Sequence, residues 1–455
     1  MYSTIEVVKK GKVMSRKKLK VIGIILGCIA ILLAGIFIYA YNKWPIAIHE
    51  AKPYKSSGNV VLDKKLTKLE VKADVEKLIK TIESTHPIFL EGETEKYKKA
   101  KERFLKETDK DMTTAEFQID VSRYLSSIQD GHTRVWFEED QYLNINWRYL
   151  KGNLVLLDKN NKPTNKIVKK INGVEINRVM NTIKDLFPAE NYAAKIINNS
   201  TYSKGKMVLT NSGVDCSKDM FVTVKSEAGE ENIKVEFDIN NSSQNVKREI
   251  SSKKINDKTI YVKLGICEVN ENLNKVVSDL KEGINNNVKN VIVDVRDNPG
   301  GNSQACNMIL DALKIKPGHF GAIIRFSPLA QERDGYLRKS GYIAHDRSNE
   351  VVKNKDINLY VITNEKTFSS AQWLATLVKD GNLGTIVGQP SSNMPSSFGD
   401  VLEFQLDNSK LEVQTSFKKW TRPDKDKDSE RVLQSDINVE YPEDPLDKVL
   451  KLTGV

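Results

Sequence analysis

The chain has 455 residues, of which 39% are hydrophobic and 29% are charged. This composition is typical of a globular protein, and it excludes a polytopic membrane protein, a collagen-like fibre and a fully disordered chain. The net charge of +10 does not indicate nucleic-acid binding, because seven of the cations lie within residues 1–20 and the rest of the chain is close to neutral.

A long apolar segment follows the basic tail. Residues 21–41 contain no charged residue, and at about 1.5 Å per residue a helix of this length crosses the hydrocarbon core of a bilayer. The lysines immediately before the segment predict that the N-terminus stays cytoplasmic and that the remainder is extracellular. A cleaved signal peptide is the alternative, but the apolar run exceeds the usual length of about 7–15 residues.

The sequence therefore predicts a single-pass protein of the cell membrane, whose N-terminal 73 residues form three segments. They are a cytoplasmic tail over 1–20, a transmembrane signal anchor over 21–41 and a polar, lysine-rich stalk over 42–73.

Residues 74–132 have a helical pattern and are predicted to form an N-terminal helical domain. Apolar residues recur at helical spacing in its first part, at Val75, Leu78, Ile79 and Ile82. A second helix is predicted over 96–106. The third begins at a capping box of Thr113 and Glu116, and Gly131 is predicted to end it in the left-handed conformation.

Residues 133–245 are predicted to be rich in strands. The candidate strands lie at 133–137, 154–157, 166–171 and 220–224. Asn172 and Gly173 form a hairpin-type turn. The polar loop at 240–245 is a possible domain boundary.

From residue 246 to 455 the pattern changes to alternating strands and helices. Strands are predicted at 260–264, 290–296, 358–363 and 385–387, and helices at 273–284, 304–313 and 370–379. This alternation predicts an α/β core in which buried strands are crossed by helices.

Three segments place reactive groups at the ends of these elements. His132 follows the third helix, and its imidazole is suited to general-base catalysis. The alternative is a histidine that only caps the helix or lies on the surface. Gly300 and Gly301 lie between a strand and a helix, where free N–H groups favour an anion, or where a tight turn needs glycine for its geometry alone. Ser369 and Ser370 begin another helix, as a nucleophile or as an ordinary N-cap. Together the segments supply the minimum set of groups for acyl transfer.

These segments resemble motifs of the carboxy-terminal processing, or tail-specific, serine peptidase family, in its branch with the tricorn core and the interphotoreceptor retinoid-binding protein repeats. The resemblance covers roughly residues 74–450. Its motifs are DGHT at 130–133, VDVRDNPGG at 293–301, TFSSAQ at 367–372 and GQP at 388–390.

The resemblance implies a Clp protease/crotonase-like α/β core with a helical N-terminal domain. It also implies a peptide or protein substrate and no metal or organic cofactor, and the charge distribution described above predicts no nucleic-acid partner. The implied site consists of Ser369 as nucleophile, His132 as base, Glu430 as the carboxylate that orients the imidazole, and the N–H groups of Ser370 and of Gly300 or Gly301 as the oxyanion hole.

The sequence departs from the family pattern at two places. Met394 stands 25 residues after the predicted nucleophile, where peptidases of the Ser–Lys type carry a lysine, so a Ser–Lys dyad is not supported. Glu430 matches the third catalytic position only with a shift of one residue, and Asp424 and Asp436 are alternatives.

The resulting hypothesis is a membrane-anchored extracytoplasmic serine peptidase. One alternative is a catalytically inactive ectodomain of the same fold that binds peptides or a lipid. Another is a hydrolase of non-peptide esters or amides, because the same groups would serve that reaction.

Residues 166–176 resemble part of a PDZ-type peptide-binding module, and an ordinary hairpin is the alternative there.

Overall fold

The computed structural model describes residues 16–239 and 248–454, and the predicted boundary loop at 240–245 and most of the basic tail lie outside these ranges. Helix α1 spans Arg16–Lys43, and its apolar part is exposed. Within the described residues, α1 is the one helix that is long and apolar enough to cross a membrane, a property that a signal sequence shares.

The predicted N-terminal helices are confirmed. The elements of this region are β1 (Lys65–Leu66), α2 (Lys68–Thr85), α3 (Glu95–Glu107), β2 (Met112–Thr113) and α4 (Thr114–Ser126). Both hydrogen bonds of the predicted capping box are present at the start of α4. The prediction for Gly131 was wrong, because Gln129 takes the left-handed conformation after α4, with φ of 61°. Glycine is needed at 131 for space, since a Cβ there would lie 3.0 Å from Glu190 and 3.1 Å from Phe368.

The middle region contains the predicted strands and three further helices. Its elements are β3 (Arg134–Val135), β4 (Tyr142–Leu143), β5 (Trp147–Leu150), β6 (Asn153–Leu157), β7 (Pro163–Ile171), β8 (Val174–Glu175), α5 (Ile176–Leu186), α6 (Tyr192–Tyr202), α7 (Lys206–Asn211), β9 (Met220–Ser226), β10 (Gly229–Val235) and β11 (Phe237–Asp238). A sheet runs in the order β10-β9-β7-β6-β5, and β8 pairs with β7 across the predicted turn. The sequence pattern missed α5, α6 and α7 because they are short and are stabilised by packing on this sheet.

The C-terminal region has the predicted α/β alternation. Its elements are β12 (Ile250–Asn256), β13 (Thr259–Leu264), α8 (Glu271–Asn285), β14 (Asn290–Asp294), α9 (Gln304–Ala312), β15 (Gly321–Arg325), α10 (Pro328–Asp334), β16 (Tyr342–His345), β17 (Asn358–Thr363), α11 (Ser370–Asp380), β18 (Thr385–Gly388), β19 (Ser397–Gln405), β20 (Glu412–Thr421), β21 (Ile437–Asn438) and α12 (Pro445–Leu452). Strands β13, β14, β17, β18 and β21 are parallel neighbours, and β12 pairs antiparallel with β13. The carboxyl ends of β14 and β17 therefore lie at the same edge of the sheet.

A second sheet connects the N-terminal region to this core. It runs in the order β16-β15-β20-β19, and the short strand β3 adds to β20 in antiparallel register. Val135 pairs with Val413 and Arg134 pairs with Gln414. Because β3 begins two residues after His132, this pairing fixes the imidazole-bearing loop against the C-terminal half of the chain.

Candidate active site

Ser369 precedes the first residue of α11 in a strained backbone conformation. Its φ of 50° and ψ of −124° lie in a region that residues with a side chain rarely occupy. Such strain persists only where the surroundings hold it, and it is typical of a nucleophile on a sharp strand-to-helix turn. Here the Ser369 N–H donates to Asn393 Oδ1 at 3.0 Å, and the half-buried hydroxyl lines a cavity.

His132 is placed by the loop after α4 and by β20. Gln414 on β20 donates to the His132 carbonyl at 2.8 Å, and the Phe368 ring lies against the imidazole with centroids 4.5 Å apart. The imidazole is buried, and neither ring nitrogen has a hydrogen-bond partner among the residues described. Because a buried polar group without a partner is costly, this arrangement is typical of a functional group that meets its partner only during the reaction.

The predicted base and the predicted nucleophile face the same space. His132 and Ser369 both line a cavity of about 470 Å³, together with Gly301 and a wall of mainly apolar side chains. They also both line a smaller cavity of about 80 Å³ that is bounded by Trp373, Trp420 and other residues. The chain thus brings together two residues that are 237 positions apart in the sequence.

The glycine-rich turn after β14 supplies N–H groups beside the serine. The Gly300 N–H donates to Asn298 Oδ1 at 2.8 Å, so it is already used. For the N–H groups of Gly301 and Ser370, no acceptor is found in the described part of the chain. Ser370 is the first residue of α11, where N–H groups have no partner within the helix. Of the two predicted glycines, Gly301 therefore fits the oxyanion hole.

Gly300 is needed for the close packing of its turn against Ser369. A Cβ at Gly300 would lie 2.5 Å from the Ser369 Cβ, and its φ is 98°. Glycine at this position allows the turn after β14 to pack directly against the nucleophile.

Two buried carboxylates lie next to the imidazole. Asp130 Oδ1 is 3.6 Å from His132 Nδ1, and one ligand atom from each of Asp130, His132 and Glu190 lies within 4.8 Å of the others. Burial alone would raise the pKa of Asp130, but interactions with His132 and His86 outweigh it and hold that pKa well below its usual range. Burial and the neighbouring charge of Asp130 raise the pKa of Glu190.

Asp130 is held by hydrogen bonds on both carboxylate oxygens. The donors are His86 Nε2 at 3.1 Å, Thr133 Oγ1 at 2.7 Å, Ser416 Oγ at 2.6 Å and the His132 N–H at 2.9 Å. A set of two carboxylates and one imidazole is also of a type that ligates metals. Because these oxygens already accept hydrogen bonds, the arrangement fits the orientation and charge stabilisation of an imidazole better.

Glu190 connects the loop of His132 to the backbone of Ser369. Its Oε1 accepts from the Gly131 N–H at 2.9 Å, and its Oε2 accepts from Asn393 Nδ2 at 2.9 Å and from the Met394 N–H at 2.7 Å. Asn393 in turn accepts from the Ser369 N–H. A continuous hydrogen-bonded path thus runs from the loop of His132 through one carboxylate to the backbone of the serine. Met394 contributes its backbone to this path, at the position where the Ser–Lys branch carries a lysine.

The three carboxylates that the sequence suggested as orienting groups have other partners. Glu430 accepts from Arg422 Nη1 at 2.7 Å, Asp424 pairs with Lys427 at 2.9 Å, and Asp436 pairs with Lys379 and accepts from the Ile386 N–H. No contact between any of them and His132 is found in the described residues. Arg422 is fully buried and pairs with Glu430, whereas Asp130 and Glu190 are the carboxylates that lie beside the imidazole.

Sequence patterns gave no signal for Glu190 and Asn393. Both follow ordinary loop residues, in PAEN and SSNM, and no local spacing distinguishes them. Asp130 stood inside a recognised motif, and its adjacency to His132 was the available clue.

Comparisons with known proteins bear on the family and the fold of the core. Residues 258–439 match the sequence model of peptidase family S41. The crystal structure of mature CPAF is similar with a TM-score of 0.55, at 12% identity over 81% of this chain and 93% of that chain. A mutant of CPAF has a TM-score of 0.57, at 11% identity over 82% and 93% of the two chains.

The photosystem II D1 C-terminal processing protease has a TM-score of 0.44, at 13% identity over 85% of this chain and 97% of that chain. No match was found among curated protein sequences. The predicted resemblance, the α/β peptidase core with a helical N-terminal region and the serine-type peptidase are confirmed.

Proposed function

Because the core of this chain is a serine-type peptidase domain of family S41, we propose that the protein is a membrane-anchored peptidase that cleaves extracytoplasmic polypeptides through Ser369 and His132. The observation that carries the assignment of these residues is their convergence on one cavity, with Ser369 held at a φ of 50°. A serine that served only as an N-cap would not need this strained backbone.

The reaction follows from the positions of these groups. Ser369 Oγ attacks the peptide carbonyl while His132 takes the hydroxyl proton, and the carbonyl oxygen becomes an oxyanion. The N–H groups of Gly301 and Ser370 bind this oxyanion, and each such donor contributes roughly 3–4 kcal/mol in comparable sites. His132 then gives the proton to the leaving amine as the peptide C–N bond breaks, which leaves the acyl group on Ser369 Oγ. In the second half of the reaction, His132 takes a proton from a water molecule that attacks the acyl carbonyl. The ester bond then breaks, and the proton returns to Ser369 Oγ.

The carboxylates act on the imidazole. Asp130 places negative charge beside His132, and Glu190 adds to it because both of its oxygens accept N–H donors, as an ionised carboxylate does. This charge stabilises the imidazolium that forms when the serine loses its proton. We assign the orienting role to Asp130 and Glu190 and not to Glu430, whose carboxylate is paired with Arg422.

The location is proposed from the N-terminal helix. Helix α1 has an exposed apolar surface, and lysines precede its apolar part. By the positive-inside rule, the N-terminus is cytoplasmic and the peptidase core lies outside the cell membrane. The lipid bilayer is then the partner of α1, and polypeptides outside the membrane are the substrates.

Labelling of the full-length protein in detergent with a fluorophosphonate probe tests the active site. We expect wild-type protein to be labelled, Ser369→Ala and His132→Ala to be unlabelled, and both variants to retain the melting temperature of the wild type. Ser392→Ala is the matched control, because Ser392 lines the same cavity and has no assigned role.

The alternatives give different results. Well-folded protein that is never labelled indicates an inactive binding ectodomain. Labelling with turnover of ester substrates but of no peptide indicates a hydrolase of non-peptide esters or amides. Labelling that persists in Ser369→Ala refutes the assignment of the nucleophile.

A further inference from the structure

A second cavity, of about 1240 Å³, lies between the N-terminal helical region and the middle region. Helices α3 and α4 line one side of it, and α5 and α6 line the other. We call it the interhelical groove. The residues proposed to carry out hydrolysis do not account for a cavity of this size beside the catalytic cavity.

The acidic residues of the groove are mostly neutralised by two arginines. Arg103 pairs with Glu107 and Asp185, and Arg123 pairs with Glu107, Asp120 and Asp185, at distances between 2.7 and 3.5 Å. These carboxylates therefore do not neutralise the other cations that line the groove.

Six further cations line the groove, and the sixth, Arg431, donates to the Glu190 carbonyl at 3.0 Å. The other five lie on the helices of the groove, and none of these five forms an ion pair with a residue in the described ranges. They are Lys96, Lys99, Arg178, Lys184 and Lys195. Lys96 and Lys99 lie on α3, whereas the other three lie on α5 and α6, so that positive charge faces the groove from both sides. Burial and the neighbouring charge of Lys184 lower the pKa of Lys96. A bound anion would relieve this repulsion.

The groove adjoins the catalytic cavity, since Phe187, Glu190 and Asn198 line both spaces. A polypeptide that lies across Ser369 therefore needs only to pass this shared wall to reach the groove. Side-chain amides also line it. The amide of Asn181 forms no side-chain hydrogen bond with a described residue, whereas those of Asn191, Asn198 and Asn211 already donate to backbone carbonyls.

We propose that the interhelical groove binds an acidic segment of the polypeptide substrate while a neighbouring segment of the same chain lies in the catalytic cavity. This inference rests on the proposed peptidase function and adds a substrate class to it. Carboxylates of the substrate pair with the five cations, and this pairing selects polypeptides that carry clustered Asp or Glu at a short distance from the cleaved bond. The position of the groove beside the cavity of Ser369 favours a peptide over an unrelated polyanion.

Binding of labelled model peptides tests the groove directly. Full-length Ser369→Ala protein in detergent is titrated into a fluorescein-labelled octamer of glutamate and, separately, of glutamine, and the anisotropy is measured. We expect the glutamate peptide to bind, the glutamine peptide to bind at least tenfold more weakly, and added salt to weaken the binding of the glutamate peptide.

The groove variant carries Lys96→Gln, Lys184→Gln and Lys195→Gln together, and we expect about tenfold weaker binding of the glutamate peptide. The matched control carries Lys275→Gln, Lys281→Gln and Lys355→Gln, three exposed lysines of the C-terminal region that do not line the groove. It changes the net charge equally and should bind as the parent does. In active protein, the KM for fluorescent casein, an unfolded acidic protein, should rise in the groove variant with little change in kcat.

Several results would overturn the inference. These are equal binding of the two octamers, unchanged binding in the groove variant, an equal loss in the control, or binding of inorganic polyphosphate without binding of the glutamate peptide. Fluorophosphonate labelling separates this failure from a failure of the proposed function. If labelling depends on Ser369 and peptide binding does not depend on the lysines, the groove assignment fails and the peptidase stands. Binding without labelling refutes the peptidase.

Discussion

The substitution Glu190→Gln tests the hydrogen-bonded path between the base and the nucleophile. The carboxylate accepts three hydrogen bonds, from Gly131, Asn393 and Met394, in a buried position. A glutamine keeps one acceptor oxygen and turns an NH2 group toward at least one of these N–H donors. A buried donor that loses its acceptor costs about 1–3 kcal/mol, and the substitution also removes a negative charge beside His132.

If most of this cost appears in the transition state, kcat/KM should fall about 10- to 100-fold. The rate of fluorophosphonate labelling should fall similarly, because labelling uses the same serine and base. The acidic limb of the pH–rate profile should move to lower pH, since the imidazolium loses a neighbouring negative charge. A loss of packing alone would not move the profile in this way.

Glu430→Gln is the matched control for this experiment. Its carboxylate is about half exposed and pairs with Arg422, which keeps its pairing with Asp380 when Glu430 is neutralised. We expect kcat/KM within about twofold of the wild type. Our reasoning would be refuted if Glu430→Gln inactivated the enzyme as fully as His132→Ala while Glu190→Gln remained fully active.

Three further substitutions test one contact beside Ser369 and two buried carboxylates elsewhere in the fold. Gly300→Ala should abolish fluorophosphonate labelling because its Cβ would lie 2.5 Å from the Ser369 Cβ. The control Gly152→Ala should be labelled normally, since Gly152 has a similar positive φ and open space around it. Equal labelling of both variants would contradict the predicted clash at Gly300. Burial raises the pKa of Glu139 to about 7. The contribution of this carboxyl to the stability of the native state is therefore fully present below the ordinary carboxyl pKa and is lost as the pH rises through 7. Glu139→Gln should therefore raise the free energy of unfolding at pH 8 by up to about 3 kcal/mol, measured as a higher melting temperature, and should have little effect at pH 4. A shift of the melting temperature that is equal at both pH values would exclude this explanation. Asp74 accepts four hydrogen bonds from the turn between β19 and β20, and Asp74→Ala should cost about 3 kcal/mol in a thermal melt; an unchanged melting temperature would show that this buried contact does not stabilise the fold.

The local sequence determined the regular elements and the candidate motifs. Helical spacing and the Thr113 capping box predicted α2 and α4, and the alternation of strands and helices after residue 246 predicted the parallel sheet. The apolar run at 21–41 likewise predicted a helix of membrane-spanning length. These predictions succeed because hydrogen bonding and side-chain periodicity within one element depend on residues only a few positions apart.

Contacts between distant segments decided how the site is assembled. The pairing of β3 with β20 brings His132 to Ser369, and the loop between α5 and α6 supplies Glu190 from a region in which no motif was visible. The hydrogen bond from Gly300 to Asn298 leaves Gly301 as the free donor, and Arg422 holds Glu430 away from the imidazole. Each outcome depends on which of several chemically similar groups is nearest after folding, and only the packing of segments that are far apart along the chain determines that distance.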